Sequence, residues 1–429
     1  MLSKEKYARY TAILKNELIP ALGCTEPIAI AYAAALAAKV LTERPERLIV
    51  TCSGNIIKNV KSVTVPNSMG MSGVQAAAAL GALGGDPERR LEVLALVTEE
   101  DIILAKQKLG EGFCECRLAE DAQGIYILAE AFCGPHRAAV ELKRTHLGVT
   151  EIQKDGQILF AARDENENAS MVPSEAPELS VREILEYADM LKLEDVMETL
   201  SRQVELNSAI SSEGIHGSYG AQIGKLWLKN NEDNVANRAV AKAAAGSDAR
   251  MSGCAMPVVI NSGSGNQGMA VSLPVIEYAR ANDSTEDRLY RALAVANLVS
   301  IHIKKHIGNL SAFCGATSAA CGAACGIGYL LGASYQQIAM AITNTLCNVG
   351  GMLCDGAKRS CAAKVATAVQ AAILGYQMAS AGCSFQPGEG LAGREIEQTI
   401  DYIGRVANSG MHRTDIEILN IMMQNESAL

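Results

Sequence analysis

A long stretch without a single charged residue, from Ile307 to Leu353, constrains the fold of this chain more than any other feature. Hydropathy alone would suit a membrane span, which needs about 20 consecutive, predominantly apolar residues. This stretch is instead interrupted by Asn and Gln side chains and by many glycines and serines. We therefore expect it to form buried helices in the core of a globular protein.

Small residues dominate that expected core. Apolar residues make up 49% of the chain but aromatic residues only 4%, which favours closely packed helices over a sandwich of bulky side chains. Helical patterns fill residues 3–17, 26–42, 73–83 and nearly all of the chain after 180, whereas short β-branched segments separated by turns lie between 91 and 162. The predicted class is α+β, with a large, mainly helical Ala/Gly-rich core and a smaller α+β module carrying an antiparallel sheet.

Changes in composition divide the chain into predicted parts. Residues 1–85 are expected to form an N-terminal helical part that packs on the core, and residues 86–165 the small α+β module. Residues 166–179 are polar, acidic and proline-containing, which is typical of a linker. Residues 180–429 then form a helical domain. At 429 residues the chain exceeds the usual size of one domain, which supports such a division.

The charge of the chain argues against two classes of partner. A formal net charge of −9, with no run of Lys or Arg longer than a pair, provides no basic surface for nucleic acid or for an anionic membrane. The N-terminus carries charges in its first turns and no apolar segment before a cleavage site, so no secretory signal is expected. We predict a cytoplasmic protein that acts on a small molecule.

Thirteen cysteines are many for a chain in a reducing compartment, and an odd number does not fit a complete set of disulfides. Six of them lie between residues 314 and 361. Thiolates bind zinc, copper(I) or iron–sulfur clusters, but the chain has no paired CxxC motif, so the spacing leaves the metal undecided. Each of the six is equally suited to fill a small space in the core.

Three short motifs contain candidate functional residues. Cys24, in the segment GCTEP at 23–27, precedes a predicted helix, where the helix dipole and free N–H groups favour a thiolate. Cys24 is therefore a candidate base or nucleophile, with a plain helix-entry residue as the alternative. The turns SGN at 53–55 and GSGNQG at 263–268 offer hydroxyl, amide and backbone N–H groups to a substrate carboxylate. Turn conformation alone would also explain both.

The histidines give a weaker signal. His302 and His306 lie four residues apart in the segment HIKKH and therefore share one helical face. The neighbouring carboxylate of a metalloprotease motif is absent, and two lysines separate the histidines. We interpret the pair as part of a solvated helix face.

Together these motifs resemble those of the L-cysteine desulfidase family, formerly an uncharacterised group of the UPF0597 type. That family is related to the alpha part of the iron–sulfur L-serine dehydratases, and the resemblance spans essentially the whole chain. It implies a 4Fe-4S cluster with one iron open to substrate, held by Cys314, Cys354 and Cys361. It also implies that Cys24 is the catalytic base and that substrate contacts come from Ser53, Asn55, Ser264, Asn266 and Gln267.

The activity implied by this resemblance is the elimination of hydrogen sulfide from L-cysteine, with pyruvate and ammonia as the other products. The expected assembly is a homo-oligomer, most simply a dimer. Cys321, Cys325 and Cys347 match no ligand and are predicted core residues, with Cys321 as the rival ligand. An iron–sulfur L-serine or L-threonine dehydratase, a non-catalytic iron–sulfur redox sensor and a cluster-free amino-acid-binding protein remain alternatives. The lack of a DNA-binding module weakens the sensor alternative.

Overall fold

The structure is a computed structural model that describes residues 2–122, 124–162, 179–308 and 310–424. Helices dominate it, and a six-stranded sheet and a two-stranded sheet complete the architecture. The predicted α+β class with a mainly helical core is confirmed. The predicted linker lies almost wholly outside the described residues.

The first part of the chain alternates helices with two short strands. These elements are α1 (Lys4–Glu17), β1 (Pro20–Leu22), α2 (Thr25–Leu41), β2 (Arg47–Ser53), α3 (Gly54–Val60), α4 (Val74–Gly84) and α5 (Glu99–Gly110). The strands that follow are β3 (Cys114–Ala119), β4 (Tyr126–Cys133), β5 (His136–Lys143), β6 (Val149–Lys154) and β7 (Gln157–Ala161). The predicted helices and the predicted strand at 47–52 are therefore confirmed within one residue at each end.

The larger sheet has the strand order β3-β2-β4-β5-β6-β7. Strands β4 to β7 form an antiparallel meander, as the turn pattern predicted, while β3 pairs in parallel with β2 after the crossover through α5. Strand β2 thus lies inside a sheet whose other strands come from the predicted α+β module. The boundary at residue 85 stays a prediction.

The remaining chain is helical. Its elements are α6 (Val181–Met190), α7 (Met197–His216), α8 (Ile223–Asn230), α9 (Val235–Met251), β8 (Pro257–Val259), α10 (Gly265–Ala281), α11 (Glu286–Ile307), α12 (Gly315–Leu330), α13 (Tyr335–Val349), α14 (Cys361–Ser380), α15 (Ile396–Arg405) and α16 (His412–Gln424). Strand β8 pairs with β1, which fastens this part to the N-terminal part. Within the described residues, none of the helices is both long and apolar enough to cross a membrane.

Glycine allows the core helices to pack at very short distances. A Cβ at Gly322 of α12 would lie 2.3 Å from the backbone oxygen of Ala296 in α11, and a Cβ at Gly81 of α4 would lie 2.2 Å from that of Ala31 in α2. Such distances are shorter than any real contact, so only glycine fits. The uncharged stretch contains the whole of α12 and α13, and α12 is almost entirely buried. The prediction of buried core helices is therefore confirmed for α12.

Candidate active site

Two of the three predicted cluster ligands are brought together by a short antiparallel contact. The residue before each cysteine, Phe313 and Leu353, forms an isolated β-bridge. The Cys314 amide donates to the Met352 carbonyl (2.9 Å), and the Cys354 amide donates to a carbonyl on the opposite segment (2.6 Å). Cys314 immediately precedes α12, and its thiol and that of Cys354 are in hydrogen-bond contact.

Cys361 is the first residue of α14, and Cys354 lies on the loop before it. The Lys358 amide lies 3.5 Å from the Cys361 sulfur. Burial is the main cause of the raised pKa of the Cys361 thiol, and the charge of Cys354 raises it further. The three cysteine sulfurs are therefore close enough for a charge on one to change the pKa of another.

Cys314 and Cys354 differ in how strongly each holds its proton. The hydrogen bond from Cys314, followed by the positive charge of Lys58, lowers the pKa of Cys354 to about 6 despite burial. The same hydrogen bond, together with burial, holds the pKa of Cys314 well above its ordinary value. Cys354 is thus the thiolate of the pair, which is the form of cysteine that binds metals.

The donor set consists of three cysteine thiols, the ligand type of iron–sulfur clusters. Among the described residues, no group of three His, Cys, Asp or Glu side chains is placed to hold one metal ion. In an iron–sulfur cubane each thiolate binds a different iron, so the Cys314 and Cys354 sulfurs, which are in contact here, would move apart to hold one. Lys58 and Lys304, both buried, lie within electrostatic reach of Cys354 and would offset the negative charge of thiolate ligands. The three cysteines fit such a group.

Cys24 lies at the start of α2, as predicted, but its ionisation differs from the prediction. The thiol is buried and donates to Oε2 of Glu26 at 3.1 Å. Burial, followed by the negative charge of Glu26, holds the pKa of Cys24 well above its ordinary value, although Arg250 acts in the opposite direction. The prediction of a thiolate stabilised by the helix N-terminus is therefore wrong, because desolvation and an adjacent carboxylate outweigh the helix dipole.

Glu26 is the anion at this helix start. Its carboxylate accepts hydrogen bonds from Cys24, from the Thr25 hydroxyl (3.1 Å) and from the Asn59 amide (3.0 Å). Burial alone would raise the pKa of Glu26, but His146 in its protonated form, the Cys24 hydrogen bond and Arg250 hold it below its ordinary value. Glu26 is thus a carboxylate in contact with a thiol proton.

Two further buried polar residues were missed by the sequence analysis. Arg250, near the end of α9, is only 2% exposed and lies against Gly265, where a Cβ would be 2.4 Å from its Nε. His146, between β5 and β6, lies against Gly263, and its buried Nε2 has no hydrogen-bond partner. Burial lowers the pKa of His146, which favours a neutral imidazole. No local motif marks either residue, since only the fold brings them to the GSGNQG turn.

The predicted substrate-binding residues at the start of α3 contact other parts of the protein. The Ser53 hydroxyl donates to the Gly124 carbonyl (2.6 Å), and the Asn55 amide donates to Asp415 of α16. Lys58, one turn further along α3, also pairs with Asp415. Helix α16 therefore covers α3, and the structure does not leave Ser53 or Asn55 available to a ligand.

The predicted substrate-binding residues at the start of α10 are not all engaged by other parts of the protein. Asn266 accepts a hydrogen bond from Ser247 (3.1 Å), but Ser264 precedes the helix without a side-chain capping bond. Oε1 of Gln267 is buried without a partner, and a Cβ at Gly315 would lie 2.5 Å from the Gln267 amide. Gln267 therefore lies directly beside the segment that carries Cys314.

Unpartnered polar atoms concentrate around this centre. The described part of the chain contains six buried side-chain N or O atoms without a hydrogen-bond partner, an ordinary number for a native protein of this size, so the informative feature is their placement. Four of the six belong to residues that contact or adjoin the groups above: Asn59 Oδ1, His146 Nε2, Gln267 Oε1 and Thr317 Oγ1. Their concentration indicates a place where a ligand supplies the missing partners.

The interpretation of His302 and His306 as a solvated face is wrong for His302. His302 is only 5% exposed, its Nε2 lies 2.6 Å from Oε2 of Glu397, and its ring meets that of His306 edge-on at 5.2 Å. The pair joins α11 to α15. Cys321 and Cys325 are buried in α12 and contact each other, which confirms them as core residues.

Comparisons with known proteins show the family to which the chain belongs. The family model for the serine dehydratase alpha chain matches residues 88–420. A UPF0597 protein of Lachnoclostridium phytofermentans is 48% identical over 417 residues, which cover 97% of this chain and 100% of the relative. UPF0597 proteins of Desulfitobacterium hafniense (48% over 423 residues, 98% of each chain) and Treponema denticola (43% over 429 residues, 99% and 100%) are similar along their whole length. These names state no activity. The chain belongs to the serine dehydratase alpha-chain family.

Proposed function

We propose that this protein is an iron–sulfur lyase that eliminates hydrogen sulfide from L-cysteine. The observation that carries the proposal is the convergence of two groups, the Cys24–Glu26 pair and the three cysteines Cys314, Cys354 and Cys361. Lys304 lies within electrostatic reach of Cys314, Cys354 and Glu26, and Arg250 within reach of Cys24 and Cys361. Membership of a family of iron–sulfur dehydratases supports the cofactor.

The reaction removes a proton from Cα and a thiol from Cβ of the substrate. Cys314, Cys354 and Cys361 would hold a 4Fe-4S cluster, which would supply a Lewis acid for the leaving sulfur. Glu26 accepts the proton of the Cys24 thiol, and the resulting thiolate accepts the Cα proton. With one water consumed, L-cysteine yields pyruvate, ammonia and hydrogen sulfide.

A second candidate is the dehydration of L-serine or L-threonine. The family model is named for a serine dehydratase, and the same open metal position suits a leaving hydroxide. The proton transfer from Cα by Cys24 and Glu26 would be unchanged. The two activities therefore differ only in the group that leaves Cβ.

A side-by-side assay tests the proposal. Protein reconstituted with iron and sulfide under anaerobic conditions is incubated separately with L-cysteine, L-serine and L-threonine, and 2-oxoacid and sulfide are measured. We expect the highest kcat/KM with L-cysteine, with pyruvate and sulfide formed in equal amounts. Pyruvate from L-serine without sulfide from L-cysteine would favour the dehydratase, and no 2-oxoacid from any of the three would contradict lyase activity.

A further inference from the structure

Arg250 is a buried cation that lacks a counter-charge. Its side chain is 2% exposed, and its one hydrogen bond within the described residues joins Nε to the Gly23 carbonyl at 2.9 Å. Among the residues that the structure describes, none forms an ion pair with Arg250, whereas Arg238 on the same helix pairs with Asp233 and Glu277. A buried charge without a partner is strongly unfavourable, so a guanidinium in this setting calls for an anion.

Glu26, the nearby carboxylate, is not that anion. Its oxygens accept from Cys24 and Asn59, and the Thr25 hydroxyl, 3.1 Å away, lies closer to the Gly263 carbonyl (2.7 Å). No Arg250 nitrogen comes within ion-pair distance of a carboxylate in the described residues, although Arg250 does act electrostatically on Glu26. The Glu26 carboxylate and the Arg250 guanidinium are therefore near each other but do not form an ion pair.

The surroundings of Arg250 favour an anion for a second reason. Arg250 lies against Gly265, the first residue of α10, a helix of 17 residues. Ser264 precedes this helix without capping it, so the first N–H groups of α10 receive no side-chain acceptor. A helix N-terminus favours negative charge, and here a buried guanidinium reinforces it.

The other unpartnered atoms indicate which class of anion binds here. Oδ1 of Asn59 and Oε1 of Gln267 are buried acceptors without donors. Both belong to residues that contact the groups described above: Asn59 donates to Glu26, and Gln267 lies against Gly315. An α-amino acid carries both complementary charges, a carboxylate for the guanidinium and an ammonium group for the carbonyl oxygens.

We propose that Arg250 binds the α-carboxylate of the substrate through its terminal nitrogens, and that the site accepts only amino acids with a free carboxylate. A guanidinium matches a carboxylate with two parallel hydrogen bonds, which fixes orientation as well as charge. This assignment rests on the proposed function for the reaction that the bound amino acid undergoes. The binding of the amino acid itself does not depend on that reaction.

Calorimetry with two unreactive ligands tests this assignment. L-Alanine has no leaving group at Cβ, and L-alaninamide differs from it only in the carboxylate. Reconstituted protein under anaerobic conditions is titrated with each ligand, as wild type and as the variants Arg250→Gln, Arg250→Lys and Arg238→Gln. The last variant is the matched control, because Arg238 lies on the same helix and already has acidic partners.

We expect the wild type and Arg238→Gln to bind L-alanine at least about 30-fold more tightly than L-alaninamide. Arg250→Gln should lose this preference, and Arg250→Lys should keep part of it. The ligand-free Tm of Arg250→Gln should equal or exceed that of the wild type, because the substitution removes an unpaired buried charge. A purely structural arginine would instead lower Tm and leave the ligand preference unchanged.

An unchanged preference for L-alanine in Arg250→Gln overturns the assignment, as does equal or absent binding of both ligands by the wild type. Should Arg250→Gln not fold, an undiminished preference in Arg250→Lys overturns it in the same way. Selective binding of L-alanine without turnover of L-cysteine would contradict the proposed reaction and leave the carboxylate assignment standing.

Discussion

The thiol of Cys24 donates a hydrogen bond to the carboxylate of Glu26, two residues further along, at the N-terminus of α2 (3.1 Å). A helix N-terminus favours negative charge, and in this arrangement the carboxylate carries it while the thiol keeps its proton. The hydrogen bond gives the thiol proton a direct path to the carboxylate, although the raised thiol pKa and the lowered carboxyl pKa keep that proton on sulfur at rest. This relationship makes Glu26 as important to the proposed reaction as Cys24.

Replacing Glu26 by Gln should lower kcat for L-cysteine by at least about 100-fold, because the acceptor of the thiol proton is lost. Iron content and cluster absorbance should stay at the wild-type level, since Glu26 is not an expected ligand. The control is Glu99→Gln, which changes an acidic residue in the first turn of α5. Turnover by Glu26→Gln at the wild-type rate would remove Glu26 from the mechanism.

The pH dependence of turnover should reflect the raised pKa of Cys24. Burial and the charge of Glu26 both raise this pKa above its ordinary value of 9.0, so the reactive thiolate fraction grows with pH throughout the neutral range. We expect kcat/KM to keep rising beyond that value. In Glu26→Gln the negative charge is gone, so the rise of the residual activity should shift to lower pH. A wild-type profile that is already flat at neutral pH would contradict this account.

Asp415 holds α16 onto α3, and its loss should weaken that contact. It accepts from the Asn55 amide and pairs with Lys58, whose side chain is 2% exposed. In Asp415→Asn the lysine loses its carboxylate partner, which should reduce the free energy of unfolding by up to about 3 kcal/mol. Urea unfolding measures the loss, and limited proteolysis should cut within α16 more rapidly. Equal stability and equal proteolysis would show that the contact contributes little.

The contact between His302 and Glu397 should stabilise the fold in a pH-dependent way. Burial would raise the pKa of Glu397, but the hydrogen bond and charge of His302 hold it below its ordinary value of 4.5. A lowered carboxyl pKa stabilises the fold above that value, and the contribution is lost as the pH falls through the lowered pKa. Urea unfolding should therefore show Glu397→Gln less stable than the wild type at neutral pH, with the difference shrinking in acid. A difference independent of pH would contradict this role.

The sequence predicted the fold class and the boundaries of α1, α2, α4 and β2, because small-residue runs and strand–turn patterns are local properties. The roles at the site were harder to predict. Arg250 and His146 lie far from Cys24 in the chain, and only the pairing of β1 with β8 and the course of the β5–β6 loop bring them close. The ionisation of Cys24 was predicted in the wrong direction, because burial is not visible in a five-residue motif.

The three cysteines and the SGN turn at 53–55 show what the motifs could not predict. Cys354 lies on the loop before Cys361, and its contact with Cys314 depends on a β-bridge that no motif signals. The role of Asn55 was predicted from its motif alone, and α16 now occupies its amide. The expected homodimer stays a prediction.

The most direct test of the central claim is the iron and acid-labile sulfide content of four anaerobically reconstituted proteins: the wild type and the variants Cys314→Ser, Cys354→Ser and Cys361→Ser. We predict about four iron and about four sulfide ions per chain in the wild type and a folded but cluster-poor protein for each variant, with Cys383→Ser, an exposed cysteine, matching the wild type. Full iron content in any of the three variants would remove that cysteine from the ligand set, and a wild type that binds no cluster would contradict the account as a whole.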